Sequence, residues 1–250
     1  MRTWHLPHLL LLLWATFAQA DPGKLEYLSE ISPPFNFSDQ QGMPTGLSVE
    51  LMQLIWKARG VSPQPIRILP WARGYNLLQQ KPNVVLFATA RTPQREALFK
   101  WACPIDHSEF VLLGRKADNI TLGSEAEISR YKVGVVRSTV SKQLLLERGI
   151  DEHQLMLANR LTQAAKMLTS GRADLFATNK LAGYQTLQQL GFKPDDFHVA
   201  FVLDARPLCY AFSRQVPDSE VALFQQALTH VVASADFSAL QAKYLPLLTP

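Results

Sequence analysis

Short runs of apolar and β-branched residues alternate along the chain with longer stretches in which apolar positions recur at helical spacing. Ile66 to Leu69, Val84 to Phe87, Val133 to Val136, Leu175 to Ala177 and His198 to Val202 have the length and composition of strands. Between them, Leu47, Leu51, Leu54, Ile55 and Ala58 fall on one helical face, and Gly60 stands where that helix would stop. The same reasoning places a helix around Val140, Leu144 and Leu145 ending at Gly149, one around Ala164, Ala165 and Leu168 ending at Gly171, and one over Asp218 to Ala233. These stripes predict core-facing helices. Strands alternating with helices predict parallel sheet covered by helices, an α/β fold.

Two apolar segments differ from the rest. Phe110 to Leu113 and Leu208 to Phe212 read as short strands flanked by charge, placed nearly symmetrically about the middle third. They are expected to cross between two lobes, which makes the first lobe discontinuous. The division that follows is a first lobe over 21–112 and 210–250 and a second lobe over 113–209. About 230 residues are long for one core and comfortable for two.

Residues 1–20 stand apart, with Arg2, an apolar run from Leu9 to Trp14 and small residues ending in Ala18-Gln19-Ala20. This predicts a cleavable signal peptide cut before Asp21, because the run is shorter than the roughly 18 residues that span a bilayer. The mature chain is expected in the periplasm, without membrane insertion. Of 25 basic and 21 acidic residues in the whole chain, the signal removes only Arg2, leaving 24 − 21 = +3. No basic stripe interleaved with aromatics occurs, which argues against nucleic acid as a partner. Cys103 and Cys209 can form one disulfide in an oxidising compartment or remain buried thiols.

Catalytic signals are weak. His107, His153, His198 and His230 are dispersed without zinc-type spacing, so no metal site is expected. Gly46-Leu47-Ser48-Val49-Glu50 lacks the closing glycine of a nucleophile elbow, so Ser48 reads as a helix cap. Asp106-His107-Ser108 lies too close in sequence to make a triad. No cofactor motif is present, and the expectation is a protein that is not an enzyme.

Five segments in order carry a resemblance: Ser32-Pro33-Pro34-Phe35, Gly46-Leu47-Ser48-Val49-Glu50-Leu51, Ala90-Arg91-Thr92-Pro93-Gln94-Arg95-Glu96, Val133-Gly134-Val135 and Gly171-Arg172-Ala173-Asp174. Together they resemble the family-3 extracellular solute-binding proteins, the substrate-binding components of amino-acid ABC transporters. The resemblance implies the type II periplasmic binding protein fold, two Rossmann-like lobes joined by two crossover strands, with a small-molecule ligand in the cleft. It implies a monomer that delivers its ligand to a membrane permease or reports it to a sensor receptor.

The resemblance also assigns roles. Arg95 matches the arginine that clamps a ligand carboxylate, a task suited to a planar fork of donors; the alternative is a surface arginine paired with Glu96. Arg91 and Arg73 are second-rank candidates. Ala88 and Ala90 stand where amino-acid binders carry hydroxyls, leaving Thr89 and Thr92 as the nearest ones. Ser138 and Thr139, after Arg137 at a helix start, can meet an anion or serve as plain caps. Phe35, Trp71 and Tyr75 are candidate walls, with Trp71 expected to stack on the ligand. Asn179 departs from the family pattern, in which an aspartate holds the ligand's ammonium group. That same neutral amide weakens the rival reading, a cyclohexadienyl dehydratase-like enzyme, which needs an acid in the cleft.

Overall fold

The computed structural model describes residues 25–244; the expected signal peptide and the last residues of the expected first lobe lie outside them. In chain order the elements are β1 (Glu26–Ser29), β2 (Phe37–Ser38), β3 (Pro44–Thr45), α1 (Leu47–Ala58), β4 (Ile66–Ile68), α2 (Trp71–Gln80), β5 (Val84–Ala90), α3 (Pro93–Glu96) and β6 (Lys100–Arg115). They continue with β7 (Val133–Val136), α4 (Val140–Glu147), β8 (Leu155–Ala158), α5 (Leu161–Thr169), β9 (Leu175–Asn179), α6 (Lys180–Gln189), β10 (Phe197–Phe212), α7 (Asp218–Val232) and α8 (Ala235–Tyr244).

One eight-stranded sheet runs through the molecule in the order β4-β1-β5-β10-β6-β9-β7-β8. Its flanks, β4-β1-β5 and β9-β7-β8, are parallel. Between them, β6 and β10 form a long antiparallel ribbon. β5 joins the ribbon along the last residues of β10, and β9 joins it over Phe110 to Gly114 of β6. Each parallel flank is therefore fastened to a different end of the ribbon.

The two crossing segments are longer than the sequence reading expects. Phe110 to Leu113 and Leu208 to Phe212 are the fully buried ends of 16-residue strands. His198 to Val202 belongs to the same strand as Leu208 to Phe212. The charged stretches between, including Asp106, His107 and Glu109 on β6 and Asp204 and Arg206 on β10, alternate with buried Ile105, Ser108 and Leu203. A strand with one face in water needs only that alternation and not a continuous apolar run. The Cys103–Cys209 disulfide links the two strands, with Cα atoms 4.7 Å apart.

Helices cover both faces of each flank. α1 brings Leu47, Leu51, Met52, Ile55 and Trp56 against Tyr27, Phe87, Tyr210 and Phe224, and α2 closes the opposite face around Leu28, Leu78, Leu86 and Phe99. On the other flank, α5 and α6 bury Ala164, Ala165, Leu168 and Leu187 against Val111, Leu113 and Phe176. Each such large apolar side chain contributes about 1.5–3 kcal/mol by leaving water. Gly183 lets α6 lie close to the sheet, since a Cβ there would sit 2.5 Å from the Thr178 methyl and 2.7 Å from Leu113.

The start of α1 also anchors a loop. Gly46, at φ 114, occupies the N-cap, and any Cβ there would fall 2.5 Å from the Phe35 carbonyl oxygen. That close approach lets the Pro34 and Phe35 carbonyls accept from the Leu47 and Ser48 amides at 3.0 and 2.8 Å. Ser48 is thus not the cap that its position in the sequence predicts. Its hydroxyl lies one turn in, 2.8 Å from the Phe35 oxygen and 2.9 Å from Asn36 Oδ1, and helps hold the loop Ser32 to Asn36 in place.

Candidate ligand-binding cleft

The loop after β1, the start of α2, the end of β5 with α3, and the starts of α4 and α6 converge on one cavity. The free space between these walls is small, about 60 Å³. Most of its wall is apolar: Phe35, Trp71, Ala88, Ala90, Phe110, Val136, Val140, Leu161, Ala177, Ala182 and Leu208. Two charged side chains, Arg95 and Glu30, reach it. The strand ends supply these positions, as expected for ligands at the carboxyl edge of an open α/β sheet.

Arg95 lies on the short helix after β5 and is only 4% exposed. Its guanidinium lies 5.6 Å from the Trp71 ring centre and 5.0 Å from that of Tyr75. Nη1 donates to the Ala90 carbonyl at 3.4 Å and Nη2 to the Ser138 carbonyl at 3.2 Å. No carboxylate forms an ion pair with it among the described residues. Burial lowers its affinity for the proton, opposed by the Tyr75 phenol and by Glu30. The alternative pairing with Glu96 is made by a different arginine: Arg91 donates to Glu96 through Nε at 2.7 Å.

Glu30 directly follows β1. Burial raises its carboxyl pKa from 4.5 to about 8, with Arg95 pulling the other way. At neutral pH the group is mostly protonated, so the cavity carries about one positive charge. Among the described residues no hydrogen-bond partner for its carboxyl is found, although its main-chain oxygen accepts from Asn36 Nδ2 at 2.7 Å.

The opposite wall begins with the turn from β7 into α4. Ser138 adopts φ 59, a left-handed conformation costing roughly 1 kcal/mol outside glycine, and its carbonyl accepts from Trp71 Nε1 at 2.8 Å as well as from Arg95. Thr139 is the N-cap of α4: its Oγ1 accepts from the Lys142 amide at 3.4 Å and donates to the Val136 carbonyl at 2.8 Å. Asn179 caps α6 through Oδ1, which accepts from the Ala182 amide at 3.1 Å. Its buried Nδ2 has no hydrogen-bond partner, and neither has the hydroxyl of neighbouring Thr178.

Of the residues singled out from the sequence, the cavity brings together Arg95, Trp71, Phe35, Thr139 and Asn179. Ser138 contributes its carbonyl. Tyr75 stands behind Trp71, with ring centres 5.6 Å apart, and supports Arg95 without lining the cavity. Four others are not brought there. Thr89 alternates on β5 with Ala88 and Ala90, which do line it, so its side chain takes the other face and bonds the Leu86 carbonyl at 3.1 Å. Arg91 is held outside by Glu96, and Arg73 is exposed on the outer face of α2. Thr92, also buried, precedes α3 and lies off the cavity. The sequence reading missed Glu30 and Thr178. No local pattern in the sequence marks Glu30 as a carboxyl that will be buried.

No cluster of potential metal ligands occurs among the described residues, and no described helix is long and apolar enough to cross a membrane. A curated relative, a probable amino-acid ABC transporter-binding protein of Haemophilus influenzae, is 24% identical over 197 residues, covering 78% of this chain and 74% of the relative. A histidine kinase sensor domain with similarity to periplasmic binding proteins superposes with TM-score 0.80 at 22% identity, over 92% of this chain and all of that one. An ancestral amino acid-binding protein described as a precursor of cyclohexadienyl dehydratase gives TM-score 0.71 at 19% identity, over 88% and 94% of the two chains. The family model for the bacterial extracellular solute-binding proteins, family 3, matches residues 27–246, and the chain belongs to that family.

Proposed function

We propose that the protein is an extracytoplasmic receptor that closes over a small carboxylate-bearing solute and passes it to a membrane permease or reports it to a sensor. The observation that carries this reading is the buried Arg95 guanidinium, which faces the cavity with two main-chain carbonyls for company and no anion. An uncompensated buried cation costs several kcal/mol, which an arriving carboxylate recovers through paired, charge-assisted hydrogen bonds. The ribbon of β6 and β10 serves as the hinge between a lobe made of 21–112 with 210–250 and a lobe made of 113–209. A solute touching both walls favours the closed state through its extra contacts there. Residues 1–20 act as the export signal, and the mature receptor works as a monomer in the periplasm. The relative's name supports uptake, and the sensor-domain likeness supports signalling.

The test is Arg95→Ala in a thermal-shift screen over organic acids and amino acids. Wild-type protein gains stability with its solute; the variant gains none, while its unliganded melting stays close to wild type. Equal ligand response in the two proteins would remove the clamp.

Glu30 favours a second reading. A carboxyl that keeps its proton near neutrality inside the cavity is the acid that a dehydratase requires and that Asn179 does not supply. Incubation with prephenate or arogenate, followed by detection of an aromatic product, tests it. Turnover abolished by Glu30→Gln would make the protein an enzyme; absence of product leaves the receptor.

A further inference from the structure

Resting on the carboxylate-receptor reading, we propose that the solute is an oxo acid, a carboxylate carrying a second hydrogen-bond acceptor oxygen, and not an α-amino acid. The argument is an inventory of donors and acceptors at the cavity. An ammonium group has three N–H donors and no acceptor, so it must find acceptors. The main-chain carbonyls among them are already engaged, while the hydroxyls of Ser32, Ser141 and Thr178 can donate as readily as accept and so do not favour an ammonium. The Ser138 carbonyl takes both Trp71 Nε1 and Arg95, and the Ala90 carbonyl takes Arg95. The side chains of Ala88 and Ala90 offer no hydroxyl.

Asn179 decides the matter. An amide can turn either end toward a ligand, but here the α6 cap fixes the choice, because only Oδ1 can accept from the Ala182 amide at 3.1 Å. What remains is Nδ2, a buried donor pair with no partner. A donor facing an ammonium gains nothing; a donor facing an oxo oxygen gains a hydrogen bond and loses its buried, unsatisfied state. Arg95 then holds the carboxylate, Nδ2 holds the second oxygen, and the apolar walls around Phe35, Phe110 and Leu161 take the rest of the molecule. Glu30, neutral at working pH, adds a further donor and no repulsion.

Isothermal titration with matched pairs tests this: pyruvate against L-alanine, 4-methyl-2-oxopentanoate against L-leucine, phenylpyruvate against L-phenylalanine. At least one oxo acid is expected to bind about tenfold or more tightly than its amino partner, the loss of a single good hydrogen bond being of that size. Asn179→Asp keeps the cap, since aspartate serves that position equally well, but exchanges the free donor for acceptor charge; it is expected to reverse the preference within the pair. Amino acids binding as well as or better than oxo acids would overturn this inference while leaving the carboxylate receptor standing. So would amino-acid binding that collapses in Glu30→Gln, which would make Glu30 the ammonium partner. If none of the carboxylates of the wider screen binds, the receptor reading fails and this one with it.

Discussion

The wall of the cleft built on β1, α2, β5 and α3 carries formal charge and large rings, whereas the wall built on the starts of α4 and α6 carries neutral polar groups and backbone. On the first wall the polar groups are held by stacking and burial: Arg95 lies against Trp71 and Tyr75, which in turn packs against Phe99. On the second they are held by the helices themselves, because the same residues that line the cavity cap α4 and α6. The difference teaches a division of labour. On the proposed receptor reading, a preformed charged surface sets which class of solute enters, and a surface of cap groups discriminates among members of that class without risking a second buried charge.

The contrast can be broken most severely at Arg95. Arg95→Ala is expected to weaken solute binding by roughly 100-fold or more, the worth of a charge-assisted pair of hydrogen bonds, as read by titration calorimetry. Unliganded stability should change little, because relief of the buried charge is offset by loss of the ring contacts with Trp71 and Tyr75 and of the bonds to the Ala90 and Ser138 carbonyls. Next comes Glu30. Its folded pKa is raised from 4.5 to about 8, so the stability linked to it is fully present below about pH 4.5 and is lost as pH rises toward 8. Glu30→Gln removes that loss. Urea denaturation should show wild type and variant nearly equal at pH 4.5 and the variant more stable at pH 9 by on the order of 2 kcal/mol, below the full shift because the residue as a whole keeps some contact with water. Equal stability at pH 9 would mean that the carboxyl is well solvated.

Smaller effects sharpen the comparison. Trp71→Phe retains the ring and removes the hydrogen bond from Nε1 to the Ser138 carbonyl across the cleft. About 1 kcal/mol should shift from the closed form, visible as a larger radius of gyration in X-ray scattering without ligand. Thr139→Ala deletes the α4 cap and should cost about 0.5–1 kcal/mol in denaturation, while shifting the relative affinities for different carboxylates less than Asn179→Asp does.

Much of this arrangement was legible in the sequence where periodicity and burial agree. The stretch Val133 to Val136 is a buried strand and Leu47 to Ala58 a helix, as their patterns predict. The ribbon was less legible because half of each long strand faces water, so charge interrupts the apolar signal at Asp106 to Glu109 and Asp204 to Arg206. At the cleft, Arg95 and Asn179 could be picked out because motif order marks them. Glu30 could not, since nothing local distinguishes a carboxyl that will be buried from one on the surface. Likewise Arg91 and Arg95, four residues apart, take different roles: which one meets Glu96 depends on how α3 seats against Trp71 and Tyr75, a tertiary fact.

The bond between Cys103 and Cys209 closes a loop of 106 residues that contains the whole of β7 to α6. Until the thiols are oxidised, that loop is open and the chain is easier to unfold by about 4–5 kcal/mol of lost constraint. If the chain is exported as proposed, it stays threadable before its thiols are oxidised and becomes locked afterwards.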